Sequence, residues 1–297
     1  MLDVKRLVLL RDLADYRTVT AVAELHQVTP SAVSQQLRAL EAEAGAELVH
    51  REGRTVRLTA AGSALAAECE HVLAALERAG SAVRATRNQV SGELLVGCFP
   101  SALSTLAAPL AAALRDRHPR LRPRIVEAEP EEALIQLKQR ELDLALSYRY
   151  QHLGTAMPAG LTSRVLFEEQ IALAVPEDLR EVTERDGVRG LRRQAWIVTP
   201  EPSGCRDVLL HVCHSAGFTP RAEHTYRDFR SALSLVAAGL AVTILPMMLG
   251  RNPPEGVAVL PLPGPGRAIE TVIRTGTERH PGIVAAISAL RQLAPSA

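Results

Sequence analysis

The chain has 297 residues, 47% of them hydrophobic and 23% charged, which is enough for about two compact domains of roughly 150 residues each. A formal charge of +1 excludes a chain-wide basic surface for nucleic acid and a chain-wide acidic one for a basic partner, so any charge signal is local. The cysteines Cys69, Cys98, Cys205 and Cys213 are scattered and follow no signal peptide, the usage of a reducing, cytoplasmic compartment. No apolar run reaches the ~18 residues that would argue for a membrane span, since even the run from Leu233 is broken by Gly239 and Pro246.

Val4, Leu7, Val8, Leu10 and Leu13 share one helical face, and after an interruption at Asp15 to Arg17 a second apolar set follows at Val19, Val22, Ala23 and Leu25. Two short helices are predicted. A third begins in "HQVTPSAVSQQLRALEAE": Thr29 is a good N-cap, and Pro30 sits where its missing N–H costs nothing. Its inner face is Val33, Leu37 and Leu40. Its early outer face carries Ser31, Ser34, Gln35 and Arg38, short or forked hydrogen-bonding groups suited to close approach to a DNA groove. Beyond Gly45, Leu48 and Val49 lead through a turn at Glu52 to Arg54 into the alternating Val56, Arg57, Leu58. This reads as a hairpin wing bearing Arg51, Arg54 and Arg57 for phosphate or minor-groove contact. Residues 1–60 hold eight Lys/Arg and eight Asp/Glu, so the electrostatic argument rests on placement alone. The pattern by itself leaves two readings, a helix-turn-helix DNA reader and a small helical docking domain.

The stretch "AVAELHQVTPSAVSQQLRALEAEAGAELVHREGRTVRLTAAG" resembles the winged helix-turn-helix of LysR-type transcriptional regulators. The resemblance implies that Thr29, Ser31, Ser34, Gln35 and Arg38 approach double-stranded DNA, while Leu25, Val33, Leu37 and Leu40 are core. Pro30 stands where many members carry Gln. An interrupted palindromic operator and a homodimeric or homotetrameric assembly are expected on the same grounds.

From Thr59, a plausible N-cap, to about Asn88 there is no proline, and Leu65, Cys69, Val72, Leu76, Ala79 and Val83 recur at heptad spacing. A dimerisation helix is predicted, with Leu65, Val72, Leu76 and Val83 in its seam and a weak point at Gly80. The alternative is a helix packed on its own domain.

"GELLVGC", a helix with Leu103, Leu106, Leu110 and Leu114 inward, "LRPRIVEAE", and a further helix and strand predict a parallel sheet covered by helices. A second set starts near Leu161 and runs through "SRVLFEEQIALAVP", "QAWIVTP", "RAEHTYRD" and "AVTILP". The strands "VAVLPL" and "RAIETVIRT" and a helix from Pro281 close the fold. The expectation is an α/β chain with an N-terminal winged helix-turn-helix (1–58), a linker helix (59–90) and a two-lobed effector domain (91–297) similar to periplasmic binding proteins. Lobe I is placed at about 91–160 and 266–297, and lobe II at about 161–265.

Ligands of such folds bind at strand C-termini, where helix N-termini present free N–H groups. Phe99, Pro100 and Ser101 occupy one such place, Thr199, Ser203 and Gly204 the other, and Tyr148, Arg149, Tyr226 and Phe229 follow other strands. A small anionic effector is predicted, with Arg149 as complementary charge. Ser101 and Ser203 are equally natural helix caps. No cofactor, metal or enzymatic reaction is expected. His211, Cys213 and His214 lack further ligands, and no phosphate loop, nucleophile elbow or carboxylate pair appears. Two alternatives to an effector-controlled regulator are a thiol sensor using Cys205 and Cys213, and a ligand-binding module without DNA function. "CRDVLLHVCHSAG" lies where peroxide-sensing members of the resembled family hold two reactive cysteines. Cys205 is displaced by one residue, and on one continuous helix the two thiols would stand ~12 Å apart, beyond the ~7 Å a disulfide tolerates.

Overall fold

The computed structural model describes residues 1–52, 55–86, 90–150, 156–201 and 203–295, apart from the side chains of Arg51, Glu52, Thr55 and Pro265. The chain divides into two compact units, Met1–Thr86 with Thr275–Arg279, and Arg87–Arg274 with His280–Ala297.

The first unit opens with α1 (Val4–Tyr16), α2 (Val19–Leu25) and α3 (Pro30–Ala44). Arg17 ends α1 in the left-handed region, its N–H reaching Leu13 O. Thr29 caps α3 by accepting from the Ala32 amide, Pro30 opens the helix, and Gly45 closes it at φ 66°. Leu7, Leu10, Leu13, Val22, Ala23, Val33, Leu37 and Leu40 bury one another as the apolar spacing predicts. A hairpin of β1 (Val49–Glu52) and β2 (Thr55–Leu58) follows, with Arg51 paired to Val56 and His50 to Arg57. Its root is anchored by Glu41, whose Oε1 accepts from the amides of Leu48 (2.9 Å) and Val49 (3.2 Å). Its second strand is tied to the α1–α2 turn, where Arg17 O accepts from Val56 N at 3.3 Å.

Thr59 then caps α4 (Ala60–Ala85), accepting from Gly62 N at 2.9 Å. Gly62 is demanded by packing, because a Cβ there would stand 2.0 Å from Leu48 O. The buried side of α4 is Ala66, Cys69, Leu73 and Ala74. The expected seam is thereby divided. Cys69 is wholly buried in the helix-turn-helix core and Leu65 packs against that core, whereas Val72, Leu76 and Val83 are exposed.

In the second unit the order is β3 (Gly92–Cys98), α5 (Pro100–Ala102), a π turn (Leu103–Ala107), α6 (Ala108–Arg117), β4 (Leu121–Glu127), α7 (Pro130–Lys138), β5 (Leu144–Tyr150) and β6 (Leu161–Pro176). There follow α8 (Arg180–Asp186), β7 (Ala195–Val198), α9 (Gly204–Ser215), β8 (Arg221–Thr225), α10 (Phe229–Ala237), β9 (Thr243–Pro246), β10 (Val257–Arg274) and α11 (Pro281–Leu293). The main sheet runs β4-β3-β5-β10-β6-β9, and β7 pairs β8 in parallel, joined toward β9 by a bridge between Trp196 and Val242. Only β3, β4 and β5 are parallel within that sheet; β10 runs antiparallel to both β5 and β6, and β6 to β9.

"VAVLPL" and "RAIETVIRT" thus belong to one 18-residue strand, β10, whose register against β6 shifts between Pro261 and Gly266. Proline and glycine interrupt the ladder without turning the chain. The two long strands carry the domain from one lobe to the other. Ile269 and Ile273 of β10 pack with Leu94, Val96, Leu110 and Leu290, while Ala258 and Leu260 pack with Leu173, Trp196, Leu209 and Ile244. The result is an α/β domain of two lobes joined by crossing strands. Among the described residues no helix is long and apolar enough to cross a membrane.

Candidate DNA-reading face and candidate effector site

On α3, burial of Val33, Leu37 and Leu40 turns the opposite face outward. Thr29, Ser31, Gln35 and Arg38 are exposed and Ser34 is half-buried. The Thr29 and Ser31 hydroxyls lie 2.9 Å apart, so the first turn presents a pre-arranged pair of hydrogen-bonding groups beside the Gln35 amide. Behind it, buried Asp12 holds the turn between α2 and α3: one carboxylate oxygen takes Arg11 Nε at 2.8 Å, and the other lies 2.6 Å from His26 Nε2. On the hairpin, Arg57 is exposed between inward-packing Val56 and Leu58. Arg54 and the side chain of Arg51 lie outside the described residues.

The effector domain places its polar centre where the long strands cross. Arg267 of β10 pairs in register with Glu169 of β6 and with Tyr150 of β5. Residues directly opposite across a ladder share a face, so these three side chains meet. Arg267 is 2% exposed. Its Nε donates to Glu169 Oε2 at 2.8 Å and its Nη2 to Ser101 Oγ at 3.1 Å; Nη1 has no hydrogen-bond partner among the described residues. Glu169 Oε1 accepts from the Met248 amide at 2.6 Å, so the buried carboxylate is satisfied on both oxygens. The guanidinium also lies over the rings of Phe99 (5.0 Å) and Tyr148 (4.9 Å), whose own rings meet edge to face.

Around this centre stand several of the sequence-predicted residues. Phe99 and Ser101 are buried at the start of helical residues 100–117, and Pro100 takes the first helical position. Ser101 is not the helix cap: Phe99 holds that position without a side-chain bond, and the serine hydroxyl serves Arg267 instead. Ser203 holds the cap position of α9 but makes no cap bond, its Oγ accepting from Thr199 Oγ1 at 2.7 Å. Among the described residues, the first turn of α9 is therefore left without a side-chain cap. Tyr226 is buried and edge-on to Phe229 at 5.2 Å; Phe229 itself opens α10 and packs among the core side chains of its lobe.

Arg149 is a correction. Strand alternation sends it to the face opposite Tyr148 and Tyr150, where its Nη2 donates to buried Glu270 at 2.5 Å. The residues that sequence reasoning missed are Arg267, Glu169, Glu129, Tyr150 and Met248. Glu129 precedes α7 without capping it, and its Oε2 accepts from the Tyr148 hydroxyl at 3.4 Å. The carboxyl opens to water, yet crowding by protein raises its pKa above the usual carboxylate range, against the lowering effect of the Tyr148 hydrogen bond. The available signal was that Glu169 and Arg267 are charges set in strand-forming, apolar segments, which buried strands tolerate only in pairs.

Both Cys205 and Cys213 are buried on the single helix α9. Eight residues along one helix separate their Cα atoms by about 12 Å. Burial pushes the Cys213 thiol up to about 12. Burial also raises Cys205, against lowering by the Arg267 charge and by hydrogen bonds with the hydroxyls of Tyr226 and Tyr150. Cys213 faces the core while His211 and His214 face solvent.

Comparison with known proteins matches both units. Residues 4–63 fit the family "Bacterial regulatory helix-turn-helix protein, lysR family", and residues 87–295 fit "LysR substrate binding domain". A probable hydrogen peroxide-inducible genes activator from Streptomyces viridosporus is 30% identical over 300 residues, covering 94% of this chain and 93% of the relative. Full-length OxyR from Pseudomonas aeruginosa has the same fold, with a TM-score of 0.62 at 22% identity, over 98% of this chain and 95% of that one. The full-length CbnR complexed with its target DNA superposes with a TM-score of 0.55 at 22% identity, over 98% and 99% of the two chains. Because both units match in the same order, and the matches run from residue 4 to residue 295, the chain belongs to the LysR family of bacterial transcriptional regulators.

Proposed function

We propose that this regulator reads an interrupted palindromic operator through Thr29, Ser31, Ser34, Gln35 and Arg38 of α3, with wing residues Arg51, Arg54 and Arg57 on the phosphate backbone. On this reading residues 1–58 bind DNA, 59–90 link and dimerise, and 91–297 receive the effector. The observation that carries it is the division of α3 into a buried apolar face and an outer face of small or forked hydrogen-bonding side chains at its N-terminal end. A homodimer or tetramer assembled through the exposed Val72, Leu76 and Val83 side of α4 supplies the two-fold symmetry. The protein works by binding rather than turnover, in the cytoplasm, where its DNA lies.

The signal is a small molecule with an anionic group, held between the lobes by the uncapped α9 amides, Thr199 and Ser203, and by Ser101 and Arg267 Nη1. Gel-shift against genomic fragments tests the DNA function. Replacing Ser34 and Gln35 together by Ala is expected to cost ~1 to 3 kcal/mol of specific affinity for each base-edge hydrogen bond removed, with the oligomer intact. Unchanged operator binding by the double variant removes the assignment of α3, and no binding to any fragment favours a ligand-binding module instead.

A further inference from the structure

Among the described residues the effector site keeps one carboxylate without an ion-pair partner, which an effector with only an anionic group leaves unanswered. Arg267 is neutralised by Glu169 at 2.8 Å. Arg206, which donates to Thr199 O, is ion-paired with Glu201 at 2.9 Å. Arg149 is on the other face of its strand with Glu270. That leaves Glu129, which has one hydrogen-bond donor, the Tyr148 hydroxyl, and no ion-pair partner among the described residues.

Glu129 and the first turn of α9 are close to the same guanidinium. Tyr148 donates to Glu129 at 3.4 Å and its ring lies 4.9 Å from the Arg267 guanidinium, while Cys205, the second residue of α9, packs in one core with Tyr150, which faces Arg267 across the ladder. Arg267 meanwhile keeps Nη1 without a protein acceptor although the residue is almost completely buried. That nitrogen is not sealed in the core, so it is a donor open to an incoming acceptor. An open carboxylate beside it is an acceptor waiting for a cation.

We propose that the effector is amphoteric: a small molecule of the amino-acid class, whose carboxylate takes Arg267 Nη1 and the α9 amides and whose protonated amine takes the Glu129 carboxylate. This rests on the inter-lobe site proposed above. Tyr148 links the two halves of the recognition, since its ring lies against Arg267 and its hydroxyl donates to Glu129. A plain organic acid satisfies only the first half and leaves Glu129 facing it as a like charge.

The test is calorimetric titration and thermal shift of the full-length chain with the standard α-amino acids, each beside its deaminated acid and its decarboxylated amine. At least one amino acid is expected to bind, with its acid and its amine each weaker by roughly tenfold or more, the range expected when one charged hydrogen bond is removed. Glu129→Gln is expected to weaken the amino acid by a similar factor and to leave the deaminated acid unchanged or tighter. The substitution is mild, because Glu129 is exposed and makes no cap bond. Binding of an organic acid equally well to wild type and Glu129→Gln, or no response to any amino acid, overturns the amphoteric class. The site itself is tested separately by Ser101→Phe and by Ser203→Phe at the less buried position. Loss of the bound probe's response in a variant that still melts cooperatively keeps the site, and an unchanged response in both removes it.

Discussion

Arg267 and Glu169 are 98 residues apart in sequence and directly opposite one another in the β10–β6 ladder, with Nε and Oε2 at 2.8 Å and both side chains almost fully buried. The pair sits where the two lobes share their strands, and through Ser101 and Met248 it holds both the first helical turn after β3 and the segment after β9. Removing one partner leaves the other as an uncompensated buried charge. Arg267→Met is therefore expected to lower stability by about 3 to 5 kcal/mol. The double variant Arg267→Met, Glu169→Gln should recover much of that loss, because neither charge remains. Urea unfolding of the three proteins measures it, and an Arg267→Met single variant as stable as wild type contradicts the pairing.

Two glycines of α4 make opposite predictions from the same substitution. A Cβ at Gly62 meets Leu48 O at 2.0 Å, where backbone lies against backbone, so Gly62→Ala must push the helix away from the root of the wing. Overpacking of this kind costs about 1 to 3 kcal/mol, and operator binding should fall with it. A Cβ at Gly80 meets nothing within 4 Å, so Gly80→Ala should stabilise the helix by roughly 1 kcal/mol. Melting curves and gel shifts of the two variants should move in opposite directions.

Val72 and Leu76 are 39% and 45% exposed on the side of α4 that its own unit leaves uncovered. If a second copy covers them, Val72→Asp or Leu76→Asp buries an unpaired charge in the interface. The variant should sediment as a smaller species and lose operator binding while its circular dichroism stays unchanged. A variant that keeps the wild-type mass by light scattering removes α4 from the interface.

The cysteines predict resistance rather than reactivity. Burial pushes Cys69 and Cys98 up to about 11 and Cys213 up to about 12, from an ordinary value of 9.0, so almost no thiolate is present at neutral pH. Iodoacetamide should label the native protein slowly and the unfolded protein fully. Hydrogen peroxide should leave mobility on a non-reducing gel unchanged, since Cys205 and Cys213 share one helix. A rapid mobility shift that Cys205→Ser abolishes would favour the thiol-sensor reading. The same shifts set a sign for alkali: a raised folded-state pKa favours the protonated thiol, so its contribution is complete below about pH 9 and is lost as the pH climbs through about 12. The urea midpoint should fall across that window, and less steeply in Cys213→Ala.

Local rules were enough for the DNA-reading half. Thr29 and Pro30 start α3, Gly45 ends it, and the three-and-four spacing of Val33, Leu37 and Leu40 decides which face turns outward, because each of these acts within a few residues of itself. Heptad spacing marked out the helix α4 but could not divide its faces. Cys69 and Val72 are equally good seam residues until the helix-turn-helix core claims the first and leaves the second in solvent. In the effector domain, strand identity was legible in the apolar runs. Strand order was not, and the antiparallel course of β10 between β5 and β6 is what puts Arg267 beside Glu169 and sends Arg149 to the far face. Period-two alternation says that Tyr148 and Arg149 diverge; only the ladder says which of them meets Arg267. A charge buried across such a ladder is specified by its partner, and that partner lies 98 residues away, beyond the reach of any local pattern.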